Sequence, residues 1–447
     1  MEGLDFSLSS VLWLPMHVKK HLFFGSLRKM LSAHFLSLAE TRQHAKIKYT
    51  LHDVCMSGVA VMFFQDPSML QFQMHMKEKL HRNNLQTLFQ VEHIPRDTQM
   101  RDVVDGIESY SISTPFSDFF RTLQRAKYLQ QYLFLDGYYL ISLDGSDYFS
   151  SEKVHCPGCL RKEDKKGKIR YHHEIVQAAL MHPTMRQVIP LAPEAIKNTD
   201  GNTKQDCEIQ AAKRLVNRIR RDHPKLRIII VANSLHSKQP FIEELHRLGM
   251  RYILVVKEKD HKILMEWVNE QRQLQEVSRL RVKDWKGRTH VYEWINRVPL
   301  NGNQETVWVN YFEYWLYDEK GDNIYHNSWV TGIPIDEDNV RELVKGGRCR
   351  WKIENEVFNT LKNQGYHIEH NYGHGKKNLS MNFFLFNLLA FFMHQIFELS
   401  DGLYQQCRKT FGSKRNLWDH LRVAIRLMIF PDWQMLLMRV LRPSEFL

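Results

Sequence analysis

At 447 residues the chain is long enough for two or three folding units and a sizeable buried core. Its 62 Lys and Arg outnumber 50 Asp and Glu to give a net charge of +12, which points to a polyanionic partner, nucleic acid ahead of an acidic membrane face. Six cysteines are too few for a disulfide framework, and no basic stretch leads into an apolar run with a small-residue cleavage site, so a reducing interior is expected and secretion is not.

The first 130 residues read as a separate helical unit, with apolar residues three and four apart in "MLSAHFLSLAE", "LHDVCMSGVAVMFFQ" and "MRDVVDGIESY". Asp97, ahead of Met100 and Val103, is expected to cap a helix of the kind small DNA-binding bundles use. The period then changes. "YYLISLDGSDYFSS" alternates and is β-rich, "RYHHEIVQAALMHP" and "RQVIPLA" follow as strands, and "DCEIQAAKRLVNRIRRDHP" is an amphipathic helix. The strand "RIIIVA", the helix "KQPFIEELHRLG" and the strand "RYILVVKE" come next, so the order predicts an α/β domain with a mixed sheet. Beyond Asp260 and a short helix, "THVYEWINRVPL" and "TVWVNYFEYWLYDEKGDNIYHNSWVTGIPI" predict a β-meander that interrupts this pattern. From Asn339 the chain is helical again. Its most apolar stretch, "NFFLFNLLAFFMHQIF", falls short of the roughly 20 residues that span a bilayer and carries Asn and His, so a buried helix and no membrane partner are expected. The basic clusters "CLRKEDKKGKIRY", "AAKRLVNRIRRDHPKLR", "VKGGRCRWK" and "CRKTFGSKRNLW" are interleaved with aromatic and apolar residues, as contact surfaces on a folded body are.

Three positions on this layout carry chemistry. Asp144 closes the first long strand and is followed by Gly145, where the backbone can turn sharply; the same Asp-Gly pair at Asp136 is read as a plain turn. Asn233 occupies the matching tip of "RIIIVA", a strand expected beside the first. Two carboxylates there would hold divalent ions, since Mg²⁺ prefers hard, charged oxygens; an amide keeps an oxygen and loses the charge. In "RCRWKIENEVFNTLKNQ", about 100° per residue sets Trp351, Ile353, Val357, Phe358 and Leu361 around Glu354. A carboxylate on a packing face is costly unless compensated, so Glu354 is either a metal ligand or the partner of Arg350, one turn earlier. A strand-tip acid, a second strand tip and a helix acid after a β insertion form the layout of a two-metal phosphoryl-transfer site.

With these pieces in place the chain resembles the DDE transposases of bacterial insertion sequences. The matching stretches are "LISLDGSDYFSS", "IIIVANSLHSKQPF" and "RCRWKIENEVFNTLKNQGYHIEHNYGHG", spread over Leu140 to Gly375, with "RWKIE" the most specific. "HCPGCLRK" with "YHHE", and "DGNTKQDCEIQAAKRL", are similar to a subgroup of these enzymes. The resemblance implies an α/β fold, a ribonuclease H-like mixed sheet interrupted by a β-strand insertion, with helical N- and C-terminal regions. Residues 1–130 would bind DNA and dimerise, 131–375 would form the catalytic domain with its insertion at about 283–335, and 376–447 the C-terminal region. It further implies recognition of element ends, Mg²⁺- or Mn²⁺-dependent strand cleavage, and strand transfer into target DNA by a 3′ hydroxyl. The agent would be a homodimer on double-stranded DNA, in the cytoplasm at the nucleoid. Residue by residue, Asp144 is the first acid, Asn233 stands where the second Asp belongs, and Glu354 is the third. Relatives with a β insertion show Tyr, Arg, Glu and Lys at fixed spacing around the third acid. Arg350 and Glu354 fit, Gly347 replaces the Tyr, and Lys362 falls one residue late, about 80° around the helix from Glu354 and within reach of a phosphate. Trp329 in the insertion is the candidate to stack a flipped base, with ordinary packing as its alternative. Because Asn233 removes a charge that binds and balances metal, cleavage is expected to fall by orders of magnitude while fold and DNA binding survive. The rival reading is a catalytically inactive DNA-binding protein, a repressor or end-binding factor; a non-specific nuclease is a third.

Other constellations carry weaker signals. Cys156 and Cys159 in "HCPGC", with His172 and His173 on the next strand, have half the spacing of a zinc site; a turn with reduced thiols is the alternative. Asp206 and Glu208 open a helix, where acids favour the helix dipole. His370, Tyr372 and His374 follow the acid-bearing helix and are candidates to approach DNA phosphate or to pack a helix end.

Overall fold

Five consecutive apolar residues, Ile228 to Ala232, are all buried, which is what a strand covered on both faces requires. They form one central strand of the computed structural model, which describes residues 22–43, 45, 47–69, 71, 79–199 and 204–442. The strands among the described residues are β1 (Leu133–Phe134), β2 (Tyr138–Ser151), β3 (Leu160–Glu163), β4 (Ile169–Met181), β5 (Ile189–Pro190), β6 (Glu194–Ala195), β7 (Ile228–Ala232), β8 (Arg251–Val255), β9 (Ser278–Lys283), β10 (Thr289–Pro299), β11 (Trp308–Tyr317) and β12 (Asn323–Thr331). They make one mixed sheet in the order β3-β4-β2-β7-β8-β12-β11-β10-β9, with β1 on β2 and the short β5 and β6 on β4. β2, β7 and β8 run parallel, while β4 and β12 run antiparallel to their neighbours. The fold is thus mixed α/β with helical segments at both ends, a ribonuclease H-like sheet.

The β insertion does not form a second sheet. Thr331, Val330 and Trp329 of β12 pair with Ile253, Leu254 and Val255 of β8, so the meander extends the central sheet outward. It also begins earlier than its apolar pattern suggests, at β9, where Arg279, Arg281 and Lys283 alternate with partly buried Leu280 and Val282. Charge on an outer strand discourages pairing with another chain and hides the alternation of a strand with only two apolar residues. Conversely, "RQVIPLA" yields only the two-residue β5, because Pro190 offers no backbone N–H to a ladder. Asp97 is the first residue of the helix Asp97–Asp105 rather than its cap, and its carboxylate pairs with Arg101 at 2.6 Å.

The apolar stretch near the C-terminus becomes a helix of 22 residues, Leu379–Ser400, long and apolar enough by length and composition to cross a membrane, yet 89% of its apolar window is buried within the protein. Its polar residues are spent on protein groups. Asn382 donates to Val104 O and Ile107 O at 2.8 Å each, and Tyr366 OH lies 2.6 Å from His394 Nδ1. Helices Phe24–Leu36, Leu51–Phe63, Asp97–Asp105, Ser109–Arg125 and Gly402–Phe411 pack around it. Gly58 permits the closest approach, since a Cβ there would fall 2.6 Å from the Phe386 ring. Phe24 stacks on Trp433 at 5.3 Å, so helices from both ends of the chain share one core.

The start of this central helix is held from outside. The Asp105 carboxylate, at the end of another helix, accepts the backbone N–H groups of Lys376, Lys377, Asn378 and Leu379 at 2.9–3.0 Å. Burial opposes ionisation of Asp105, but these N–H groups outweigh it and hold the carboxyl below its ordinary value. Its contribution is therefore present above the unfolded carboxylate pKa and is lost as pH falls through the lower folded one. Asp105→Ala should destabilise the protein by about 1–3 kcal/mol at neutral pH, the scale of a lost helix cap with orphaned donors. Denaturant midpoints followed by far-UV circular dichroism will show it, and an unchanged midpoint would contradict this role.

Candidate active site

Parallel pairing sets the site. Tyr139 to Ser142 of β2 lie opposite Ile228 to Val231 of β7, so the chain beyond both segments emerges at the same edge. β7 stops at Ala232, but β2 runs on past Asp144 to Ser151 against β4. Asp144 is therefore not at the end of its own strand, as its Asp-Gly sequence suggests; it stands where the neighbouring strand ends. The Asp-Gly pair at Asp136 does form a turn, with φ of 53° at Asp136 and 75° at Gly137. Gly145 stays in the strand for a different reason: a Cβ there would come within 2.9 Å of Glu208 Oε1 on the covering helix.

Asn233 Nδ2 donates to Asp144 Oδ1 at 3.1 Å. The Asn233 Oδ1 is turned the other way, accepting from Leu235 N and from His236 Nδ1, each at 3.0 Å. An amide oxygen accepts only, so His236 carries its proton on Nδ1. His236 is fully buried, and burial, with the Arg350 charge nearby, pushes its pKa down to about 4, which keeps the ring neutral. On the other side, Arg350 NH1 donates to Asp144 Oδ2 at 3.0 Å, and the Gly145 N–H reaches Asp144 Oδ1 at 3.1 Å. Burial raises the Asp144 pKa above its ordinary value; Arg350, the Gly145 N–H and the Asn233 amide oppose it, and the negative field of Glu354 adds to it.

Arg350 thus serves Asp144, not Glu354, the partner that the alternative reading gave it. The chain turns at Cys349 and Arg350 between two helical segments, so Arg350 is not one turn before Glu354 on a common helix. Trp351, expected beside Glu354 in the apolar stripe, is half exposed instead, with the Arg350 guanidinium 4.9 Å from its ring centroid. Ile353, Val357, Phe358 and Leu361 are buried as the pattern requires, and Glu354 is half-buried.

The segment Ile353–Phe358 is a π-helix. Such a turn takes in one residue more than an α turn and is common at functional sites. Lys362 then falls where the seventh residue after Glu354 would in an unbroken α-helix, about 20° from it rather than 80°. The one-residue lateness of Lys362 is absorbed by the helix. Its ammonium pairs with Glu369 at 3.2 Å.

Gly347 and Trp329 explain each other. Trp329 is fully buried, lies stacked on Phe312 at 5.2 Å, and its Nε1 has no hydrogen-bond partner among the described residues. A Cβ on Gly347 would lie 2.6 Å from that Nε1, so the indole fills the space a side chain at 347 would need. Trp329 presents no face to a base; it is a core residue, a correction to its candidacy as a DNA contact. The most exposed tryptophan of the insertion among the described residues is Trp285, 89% exposed at the tip of the β9–β10 hairpin, where Lys286 Nζ lies 4.8 Å from its ring centroid; Trp308 on β11 is half exposed. A lone Trp between Lys283, Lys286 and Arg288 is the sequence signal that could have found it.

His374 is likewise buried rather than presented to phosphate, with its Nε2 3.3 Å from Cys159 Sγ. It joins Cys156, Cys159 and His173 in a cluster on the far arm of the sheet.

A ribonuclease H-like sheet, with Asp144 within β2 beside Asn233 just past the end of β7 and Glu354 on a helix after a β extension, belongs to the class of DDE phosphoryl-transfer folds. The profile of the family described as Transposase DDE domain matches residues 125–392, and the chain belongs to that family. The match spans Asp144, Asn233 and Glu354. The chain is thus a transposase by family, one of a group of DNA-acting phosphoryl-transfer enzymes that typically use divalent metal. Comparison with curated proteins returns no match.

Gly347→Ala forces a methyl into the buried indole and should cost about 1–3 kcal/mol, the usual penalty of overpacking a tight core. Equilibrium unfolding monitored by Trp fluorescence will measure it; wild-type stability would show that Trp329 can move aside.

Proposed function

We propose that this transposase binds the double-stranded ends of its element and carries out Mg²⁺- or Mn²⁺-dependent cleavage and strand transfer, at a rate lowered by Asn233. The observation that carries this reading is the Asn233 amide donating to the Asp144 carboxylate. An acid at 233 would set two carboxylates in contact, an arrangement stable only with a cation between them or a proton on one. Asn233 removes that requirement, and it cannot act as a base.

The donors that remain suit one divalent ion rather than two. Asp144 and Glu354 supply two hard carboxylates, enough for a Mg²⁺ that completes its shell with water and phosphate oxygens, while the Asn233 oxygen is committed to Leu235 and His236. Such an ion supplies Lewis acidity at the phosphate undergoing attack. Arg350 orients and neutralises Asp144, and Lys362 offers a cation on the Glu354 face. Trp285, Lys286 and Arg288 form a contact for DNA at the tip of the insertion. The helical ends of the chain, residues 1–130 and 376–447, hold the element ends and a second protomer.

A second reading, a DNA-binding protein without catalysis, is favoured by one feature: both Asp144 oxygens already face donors from Arg350, Gly145 and Asn233, so the site is neutralised without metal. Asn233→Asp separates the two. We expect it to raise Mg²⁺-dependent nicking of a labelled element end by about 10²-fold, the scale of a single preorganised electrostatic group. It should also enlarge the Mg²⁺-dependent rise in thermal stability beyond that of the parent. Tight end binding with no cleavage and no metal response in either protein would establish the second reading instead.

Trp285→Ala should weaken end binding by about 1–3 kcal/mol if a base stacks there. Fluorescence anisotropy against Trp329→Phe as a packing control will show it, and equal affinity for Trp285→Ala and the parent would remove Trp285 from the interface.

A further inference from the structure

We infer that Cys156, Cys159, His173 and His374 form a structural zinc site that ties the hairpin arm of the catalytic sheet to the start of the central helix of the bundle. Their ligand atoms all lie within 4.8 Å of one another. Cys156 Sγ and Cys159 Sγ are 3.9 Å apart, His173 Nε2 is 3.6 Å from Cys156 Sγ and 3.5 Å from Cys159 Sγ, and His374 Nε2 is 3.3 Å from Cys159 Sγ. With Zn–S near 2.3 Å and Zn–N near 2.05 Å, a tetrahedron has S···S edges of about 3.8 Å and S···N edges of about 3.5 Å. These four edges match those figures, and the sulfurs are far beyond the roughly 2.05 Å of a disulfide. Two thiols and two imidazoles at a tetrahedral spacing select zinc over the hard cations expected at Asp144.

The surroundings hold these groups in place before any metal arrives. The Cys159 N–H donates to Cys156 O at 3.1 Å and the Cys156 N–H points to Cys159 Sγ at 3.4 Å, the backbone of a tight knuckle. Asn198 Nδ2 donates to Pro157 O at 2.9 Å and to Cys159 O at 3.3 Å, fixing that knuckle from a separate loop. Tyr148 stacks on His173 at 6.0 Å and Phe149 lies tilted against His374 at 4.5 Å, contacts that orient both imidazoles.

Four protein ligands leave no open position, so the site is structural. His173 pairs with Phe149, five residues along β2 from Asp144, or about 17 Å at the rise of a strand. The knuckle lies between β2 and β3, His173 is on β4, and His374 immediately precedes the stretch whose N–H groups Asp105 holds. The zinc would join three segments that the chain separates by up to 215 residues.

The test uses the full chain, with any affinity tag removed, expressed with zinc in the medium and purified without chelator. Elemental analysis should find one zinc per chain, and Co²⁺ exchange should give thiolate charge-transfer and intense d–d absorption of a tetrahedral S₂N₂ site. Asp144→Ala with Glu354→Ala should keep the zinc in full, which separates this site from the proposed catalytic one. Cys159→Ser should lose it, and His374→Cys should retain it with a cobalt spectrum shifted toward S₃N. Should Cys159→Ser fail to fold, alkylation of the wild type decides: Cys156 and Cys159 should be protected until a chelator is added. A wild type that carries no zinc and gives no tetrahedral cobalt spectrum, or in which Cys156 and Cys159 are found as a disulfide, overturns the proposal.

Discussion

The in-register parallel pairing of β2 with β7 is the constraint on which the site depends. A parallel ladder brings the same ends of two strands together, and the crossover that connects them lies outside the sheet. Residues 89 apart in sequence, Asp144 and Asn233, therefore meet at hydrogen-bond distance. A slip of one residue would turn Asp144 to the opposite face. The burial of β7 on both sides prevents this, since any other register would carry polar residues of the flanking turn into the core. The meeting of Asp144 and Asn233 is thus a by-product of core packing.

The electrostatics of the site follow from the choice of amide at 233. Asp144 is buried deeply enough that its charge is disfavoured, and the protein compensates with a guanidinium and two N–H donors. Were 233 an acid, Arg350 alone would face two carboxylates, and His236, whose Nδ1 proton now satisfies the Asn233 oxygen, would become the second partner. At this position an amide donates a hydrogen bond to Asp144, whereas an acid would need a cation or a proton between the two carboxylates.

Much of this was legible in the sequence, and the losses have physical causes. The strands around Asp144 and Asn233 show because buried parallel and long antiparallel strands carry dense apolar patterns; β9 does not, because an outer strand is written in Arg and Lys. Asp144, Asn233 and Glu354 could be chosen from patterns in one dimension. The partner of Arg350 could not, since a turn at Cys349 breaks the helix whose wheel was used to place it. The late position of Lys362 was visible, but the π turn that absorbs it was not, because no residue type marks an i to i+5 bond. Trp329 and Gly347 each departed from expectation, and only coordinates show that one fills the space the other vacates.

The bundle and the sheet are joined at the short run from Gly373 to Leu379, and that run is held twice. Asp105 takes the N–H groups on its C-terminal side, and His374 joins the cysteine knuckle and His173 on the other. Glu354 lies upstream in the same stretch of chain, on the helix that precedes this junction. Its position relative to Asp144 is therefore fixed from two directions: by the apolar face of Ile353, Val357 and Phe358 against the core, and by the anchoring of the chain that follows. Packing sets the rotation of this helix, and the anchoring eleven and more residues beyond its end at Asn363 limits where the following chain can run.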